Sequence, residues 1–116
     1  MRNTNSKVRC EKWQLGKCKE VVKTYNEVQY AFADVLEKDS TIKEFISNFP
    51  LTEFSLTDGK YTSDFYCTTV SGEIIVYECV FRKHLTKPLT AKLLDASRNY
   101  WLRRGVEWRL VIDAKE

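Results

Sequence analysis

Residues 61–80 read YTSDFYCTTVSGEIIVYECV. Two runs rich in Tyr, Phe, Thr, Val and Ile flank the turn dipeptide Ser71-Gly72, which predicts an antiparallel hairpin. The second run, Glu73 to Phe81, is apolar on both faces and reads as the central strand of a sheet. Residues equidistant from a hairpin turn face each other. Asp64, in the first run, and Glu78, in the second, are therefore expected side by side. Two adjacent carboxylates repel and rise in pKa unless a cation lies between them. Mg2+, which takes oxygen ligands, suits that position. Such an ion activates water and stabilises the charge of a phosphodiester in flight. The same spacing also fits two exposed strand acids.

Outward toward the N-terminus, Leu51 to Leu56 alternates weakly as a strand, joined to the hairpin by the tight turn Asp58-Gly59. Ser40 is placed to cap a short helix running to Phe45 or Ile46, ended by Asn48 and Pro50. From Val21 to Leu36, apolar residues recur at three and four, which predicts an amphipathic helix. Outward toward the C-terminus, Pro88 suits a first helical turn. Leu89, Leu93, Ala96, Ser97, Tyr100 and Trp101 mark one helix face, and Gly105 is placed to stop it. Val106 to Ile112 forms a last strand. A crossover of this kind sets that strand parallel to the central one. The expected order is α-β-β-β-α-β, in one domain over 21–116 preceded by a basic N-terminal arm over 1–20.

The 116 residues are 43% hydrophobic and 30% charged, which is the composition of a globular domain with a core. This excludes a disordered tail and a disulfide miniprotein. No apolar run approaches the ~20 residues that span a bilayer, and Met1 to Lys12 lacks the apolar stretch of a secretory signal. The expectation is a cytoplasmic protein with no membrane contact. Cys10, Cys18, Cys67 and Cys79 contain no CxxC pair and His84 is the single histidine, so a zinc site is not indicated and reduced thiols are expected. The net charge of +3 is segregated. Residues 1–23 carry +5, 24–81 carry −7, 82–104 carry +6 and 105–116 carry −1. Basic flanks suit a polyanion and an acidic middle suits a metal, although charge blocks also form plain solvated faces.

Several segments resemble one family. Tyr61-Thr62-Ser63-Asp64-Phe65 resembles the Y-x-P-D-F strand of restriction-endonuclease-like nucleases, and Glu78-Cys79-Val80 falls where those have E-x-K. The nearest resemblance is to the N-terminal catalytic domain of TnsA, the endonuclease subunit of heteromeric transposases. Asn26 to Phe32 resembles its S-x-L-E-x-x-F helix, and Leu36 to Ile42 its L-x-x-D-P-x-V turn. Ala96 to Trp108 resembles its A-R-x-Y-W-x-x-x-G-I-x-W block, the most specific of the matches. Together they cover roughly residues 20–113.

The resemblance implies a restriction-endonuclease-like mixed α/β sheet flanked by helices, and a Mg2+-dependent DNA endonuclease of a mobile element or phage, with a transposase or a phage or host factor as protein partner. Asp64 and Glu78 would hold the metal. The helix glutamate falls on Gln29, with Glu27 two residues earlier and about 200° around a helix. The lysine falls on Val80, which cannot stabilise a phosphate. Arg82, expected two residues along the same strand face, or Lys83 would substitute. Ser63 stands where proline is usual. Loss of the lysine implies a degenerate centre, and the alternative is a non-catalytic DNA-binding or protein-interaction module. Lys92, Arg98, Arg103 and Arg104 on the second helix are the candidate phosphate contacts, or ordinary solvated charges. Trp101 and Trp108 are expected in the core, Trp13 against the sheet or a partner, and His84 in an exposed loop.

Overall fold

Residues 61–80 form the expected hairpin in a computed structural model, which describes residues 10–52, 54 and 61–113. Strand β4 (Thr62–Thr69) pairs antiparallel with β5 (Ile74–Val80), Phe65 level with Tyr77 and Thr68 level with Ile74. Gly72 turns the chain at φ 92°, where a side chain would be strained. The Thr69 N–H donates to the Glu73 carbonyl at 2.8 Å and closes the turn. Before the hairpin come β1 (Glu11–Trp13), β2 (Val22–Thr24), α1 (Glu27–Lys38) and β3 (Ile42–Pro50). After it come a short 3-10 helix (Arg82–His84), α2 (Pro88–Leu102) and β6 (Glu107–Ile112). The main sheet has the order β3-β4-β5-β6, and β1 pairs with β2 in a separate ribbon. The architecture is mixed α/β, and β6 runs parallel to β5 as the crossover requires, Glu78 level with Leu110.

Three predicted elements are corrected. The helix does not begin at Val21. Val22 and Thr24 are buried in β2 with Lys23 exposed between them, and α1 starts only after Asn26. The Asn26 side chain accepts the Gln29 N–H at 2.8 Å, an N-cap. The second correction concerns Ser40 to Phe45, which is not helical. Asp39 Oδ1 instead takes the Thr41 N–H and hydroxyl, and the chain enters β3. A bulge between Ile42 and Glu44 puts Ile42 and Phe45, three residues apart, both into the core. That spacing imitates a helix. The first strand of the sheet therefore lies at 42–50. Leu51, Thr52 and Phe54 are in no strand, while Glu53 and residues 55–60, including the Asp58-Gly59 turn, lie outside the described residues.

The sheet has a core on each face. On the α1 side Val28, Ala33, Leu36, Phe45, Phe65, Cys67 and Tyr77 pack together. On the α2 side Leu51, Phe54, Val76, Tyr100 and Trp101 do so. The boundary expected at residues 20 and 21 falls inside the β1–β2 ribbon, where Cys18 and Val22 join the α1-side core. The ribbon is tied to the end of α1: Glu37 accepts the Gly16 and Lys17 N–H groups, and Lys17 Nζ caps the Leu36 and Asp39 carbonyls at 2.9 and 2.5 Å. Pro88 opens α2 and Gly105 ends it at φ 74°, with the Val106 N–H on the Trp101 carbonyl. The four cysteines are free thiols, and burial pushes Cys18 up to about 11 and Cys67 up to about 12. Among the described residues no helix is long and apolar enough to cross a membrane.

Candidate functional site

The β4–β5 ladder ends with Phe65 level with Tyr77, and beyond it Ser63 reaches the Glu78 carboxylate while Asp64 reaches the backbone of Cys79. The surroundings of the two acids differ. Glu78 points into the α2-side layer and is 2% exposed. Its Oε1 accepts the Tyr61 hydroxyl. Its Oε2 accepts the Ser63 hydroxyl at 2.7 Å, the Ser97 hydroxyl, and the Trp108 indole N–H at 3.3 Å. Ser63 in turn accepts the Trp101 indole N–H at 2.9 Å, which leaves its own proton for Glu78. Asp64 is half-buried, and its Oδ2 accepts the backbone N–H of Cys79 at 2.5 Å.

Burial dominates the electrostatics, ahead of the mutual repulsion expected from spacing. It pushes Asp64 up to about 7, opposed by the Cys79 N–H and reinforced by the Glu78 charge. Burial also raises Glu78, and the bonds from Ser97, Tyr61, Ser63 and Trp108 work against it. Tyr61 is raised by burial and then by the Glu78 charge, so it stays a neutral donor.

Gln29, where the resemblance would place a helix glutamate, does reach the strands. It is 1% exposed, and its Oε1 accepts the Tyr25 N–H at 2.9 Å. Its Nε2 donates to Asn48 Oδ1 at 3.0 Å and to the Asp64 carbonyl at 3.5 Å. Asn48, held at a left-handed φ of 55°, donates onward to the Lys23 carbonyl at 2.7 Å. Gln29 thus joins α1 to β2, β3 and β4 through the amide hydrogens a glutamate lacks.

The remaining predicted residues lie apart. Arg82 is not on the β5 face with Val80: the strand ends at Val80, and Arg82 opens the 3-10 helix, its N–H on Asp113 Oδ1 at 2.5 Å. Phe81 is still extended, and the 3-10 helix begins only at Arg82. Arg82, Lys83 and Glu27 border one apolar groove floored by Val28, Phe32 and Val111. Val80 is half-buried, level with Ile112 on β6. Lys92, Arg98, Arg103 and Arg104 are all exposed. At 100° per residue Lys92 and Arg103 share one line of α2, whereas Arg98 is roughly 120° from Lys92. Arg104 stacks over the Tyr100 ring at 3.6 Å. His84 is half-buried, edge-on to Phe81. Trp101 and Trp108 sit in the α2-side core as expected, and Trp13 stacks on Tyr30 of α1 at 4.7 Å.

Sequence reasoning did not single out Tyr61, Ser63 and Ser97 as partners of Glu78. Tyr61 and Ser63 share a strand face, and Ser97 lies on the inner face of α2 among Ala96, Tyr100 and Trp101; a serine amid core residues is the one signal available. Mg2+ is a poor fit to this arrangement. It takes oxygen lone pairs in near-octahedral geometry, but the Glu78 lone pairs face O–H and N–H hydrogens, and two of the N–H groups in the network belong to indoles, which cannot ligate. Among the described residues no three His, Cys, Asp or Glu side chains are grouped to hold a metal ion. No protein-family model matches the chain, and no curated protein matches it.

Proposed function

We propose that this chain is a TnsA-like, restriction-endonuclease-like module that binds DNA without cutting it. The observation that carries the reading is the Glu78 carboxylate, enclosed by four hydrogen-bond donors at the place where a nuclease of this pattern would hold its metal. From α1 onward the order α-β-β-β-α-β with a parallel last strand supports the nuclease ancestry, as does the hydrogen bond from Gln29 to the Asp64 carbonyl. Val80 supports the loss of cleavage, because no cation stands on its strand face to balance a phosphate. The exposed Lys92, Arg98 and Arg103 supply charge for phosphate contacts. Calorimetric titration with Mg2+ and Mn2+, a plasmid-nicking assay and DNA-binding anisotropy test the reading together. DNA binding unchanged by chelator, with no metal heat and no nicking, is the expected result. Brisk Mg2+-dependent nicking refutes the loss of cleavage, and no DNA binding at low salt refutes the DNA-binding role.

A further inference from the structure

The two edges of the main sheet are built differently. On β3 the bulge at Ile42/Glu44, the left-handed Asn48 and the terminal Pro50 all interrupt an edge that another strand could join. The β1–β2 segment also lies against it, through the Phe45 N–H to the Lys17 carbonyl at 3.2 Å and the Lys23 N–H to Ser47 Oγ at 3.3 Å. β6 has no proline and no bulge, and among the described residues no strand pairs with its outer side. A regular, uncovered strand is a template for another strand. Its two faces also carry accessible apolar surface. Leu110 is 40% exposed on the α2 side. On the α1 side Val111 borders the groove that also contains Val35, itself 52% exposed.

We propose that β6 pairs with β6 of a second copy of this chain, antiparallel about a two-fold axis normal to the sheet, so that two four-stranded sheets become one of eight strands. The order of charges selects a second copy over an unrelated strand. Glu107 and Arg109 are two residues apart on one face and ion-paired at 2.5 Å. Reversed by the two-fold, a strand bearing both signs in this order complements itself. Pairing centred on Trp108 sets Glu107 directly opposite Arg109 of the partner subunit, and Arg109 opposite the partner's Glu107. It also sets Leu110, an exposed aliphatic, diagonal to Trp108 of the partner subunit. Trp108 meets Trp108 of the partner subunit at the axis, an aromatic pair on the face opposite the charges.

Sedimentation velocity and light scattering on the full chain test this. A species of twice the 13.6 kDa chain mass is expected at micromolar concentration. Leu110→Lys should weaken the dimer about tenfold or more. Its circular dichroism should be unchanged, because Leu110 is already exposed. Arg109→Glu places four acids around the axis and should also dissociate it. The double variant Glu107→Arg/Arg109→Glu reverses the order and should restore the dimer. A wild-type monomer at about 100 µM overturns the proposal, as does a dimer indifferent to Leu110→Lys and Arg109→Glu. Failure of the double variant to re-associate where Arg109→Glu alone dissociates also overturns it.

Discussion

A carboxylate taken out of water needs a cation or a full set of hydrogen-bond donors. Glu78 has the donors, and its replacement therefore exposes the whole network. Glu78→Ala strands three hydroxyls and an indole N–H, so a loss of about 3–5 kcal/mol is expected in urea unfolding. Glu78→Gln keeps one carbonyl oxygen but turns an NH2 toward hydroxyls that already donate, and should cost about 1–3 kcal/mol. Equal stability of all three proteins would show that the network contributes nothing. Asp64 makes a prediction about pH. Its folded pKa of about 7 lies above the ordinary carboxylate value near 3.8, so the folded state holds the proton more tightly than the unfolded chain. Its contribution to stability is thus full below about pH 4, declines as pH rises toward 7 and is flat above. Asp64→Asn keeps an oxygen for the Cys79 N–H and removes the charge. It should raise the melting temperature at pH 8 and flatten the slope between pH 4 and 7, by an amount equivalent to about 1–3 kcal/mol. A slope remains, because Glu78 is raised in the same direction. A steeper slope in the variant would contradict the assignment.

At the scale of elements, the two ends of α1 follow separate rules. Asn26 caps one end with its own side chain and Lys17 caps the other from a distant loop. Asn26→Ala should cost about 0.5–2 kcal/mol in chemical denaturation, with the far-UV spectrum of the folded protein retained. A loss below a few tenths would mean that Gln29 holds the start of the helix without the cap. These elements also show what a sequence can reveal. The β4–β5 hairpin, α2 and β6 were legible because a turn dipeptide, a first-turn proline and a stop glycine punctuate them locally. β3 was not, because its bulge produces the three-residue spacing of a helix and its pairing with β4 overrides local preference. The start of α1 was misplaced for a related reason: Val21, Val22 and Tyr25 imitate helical spacing while Val22 and Thr24 belong to a strand. In the site, the antiparallel pairing of β4 with β5 followed from counting outward from a turn. The partners of Glu78 did not, since Ser97 meets it only when α2 folds over the sheet, nineteen residues away in sequence.

Over the whole molecule, the segregated charge becomes a geometric question about α2. The 82–104 segment carries +6, but the helix divides its cations between two flanks. Lys92 and Arg103 lie along one line, Arg98 lies on the other side, and Arg104 is committed to the Tyr100 ring and carbonyl. A DNA duplex laid along one flank touches one set only. If DNA follows the Lys92–Arg103 line, Lys92→Glu/Arg103→Glu should weaken binding at every DNA sequence. The salt slope of the affinity should then fall by about 2, because each phosphate that is no longer neutralised lowers it by about 0.9. Arg98→Glu should then act only through the overall charge, with a smaller change that fades as salt screens it. All three side chains are exposed, so unfolding curves of these variants should overlay the wild type. Anisotropy titrations at several salt concentrations measure each slope directly. If Arg98→Glu carries the larger slope change, the duplex lies on the opposite flank of α2. Equal, small changes in all variants would remove α2 from the DNA-binding surface and shift attention to the lysines of the β1–β2 segment, where Lys19 and Lys23 are also exposed.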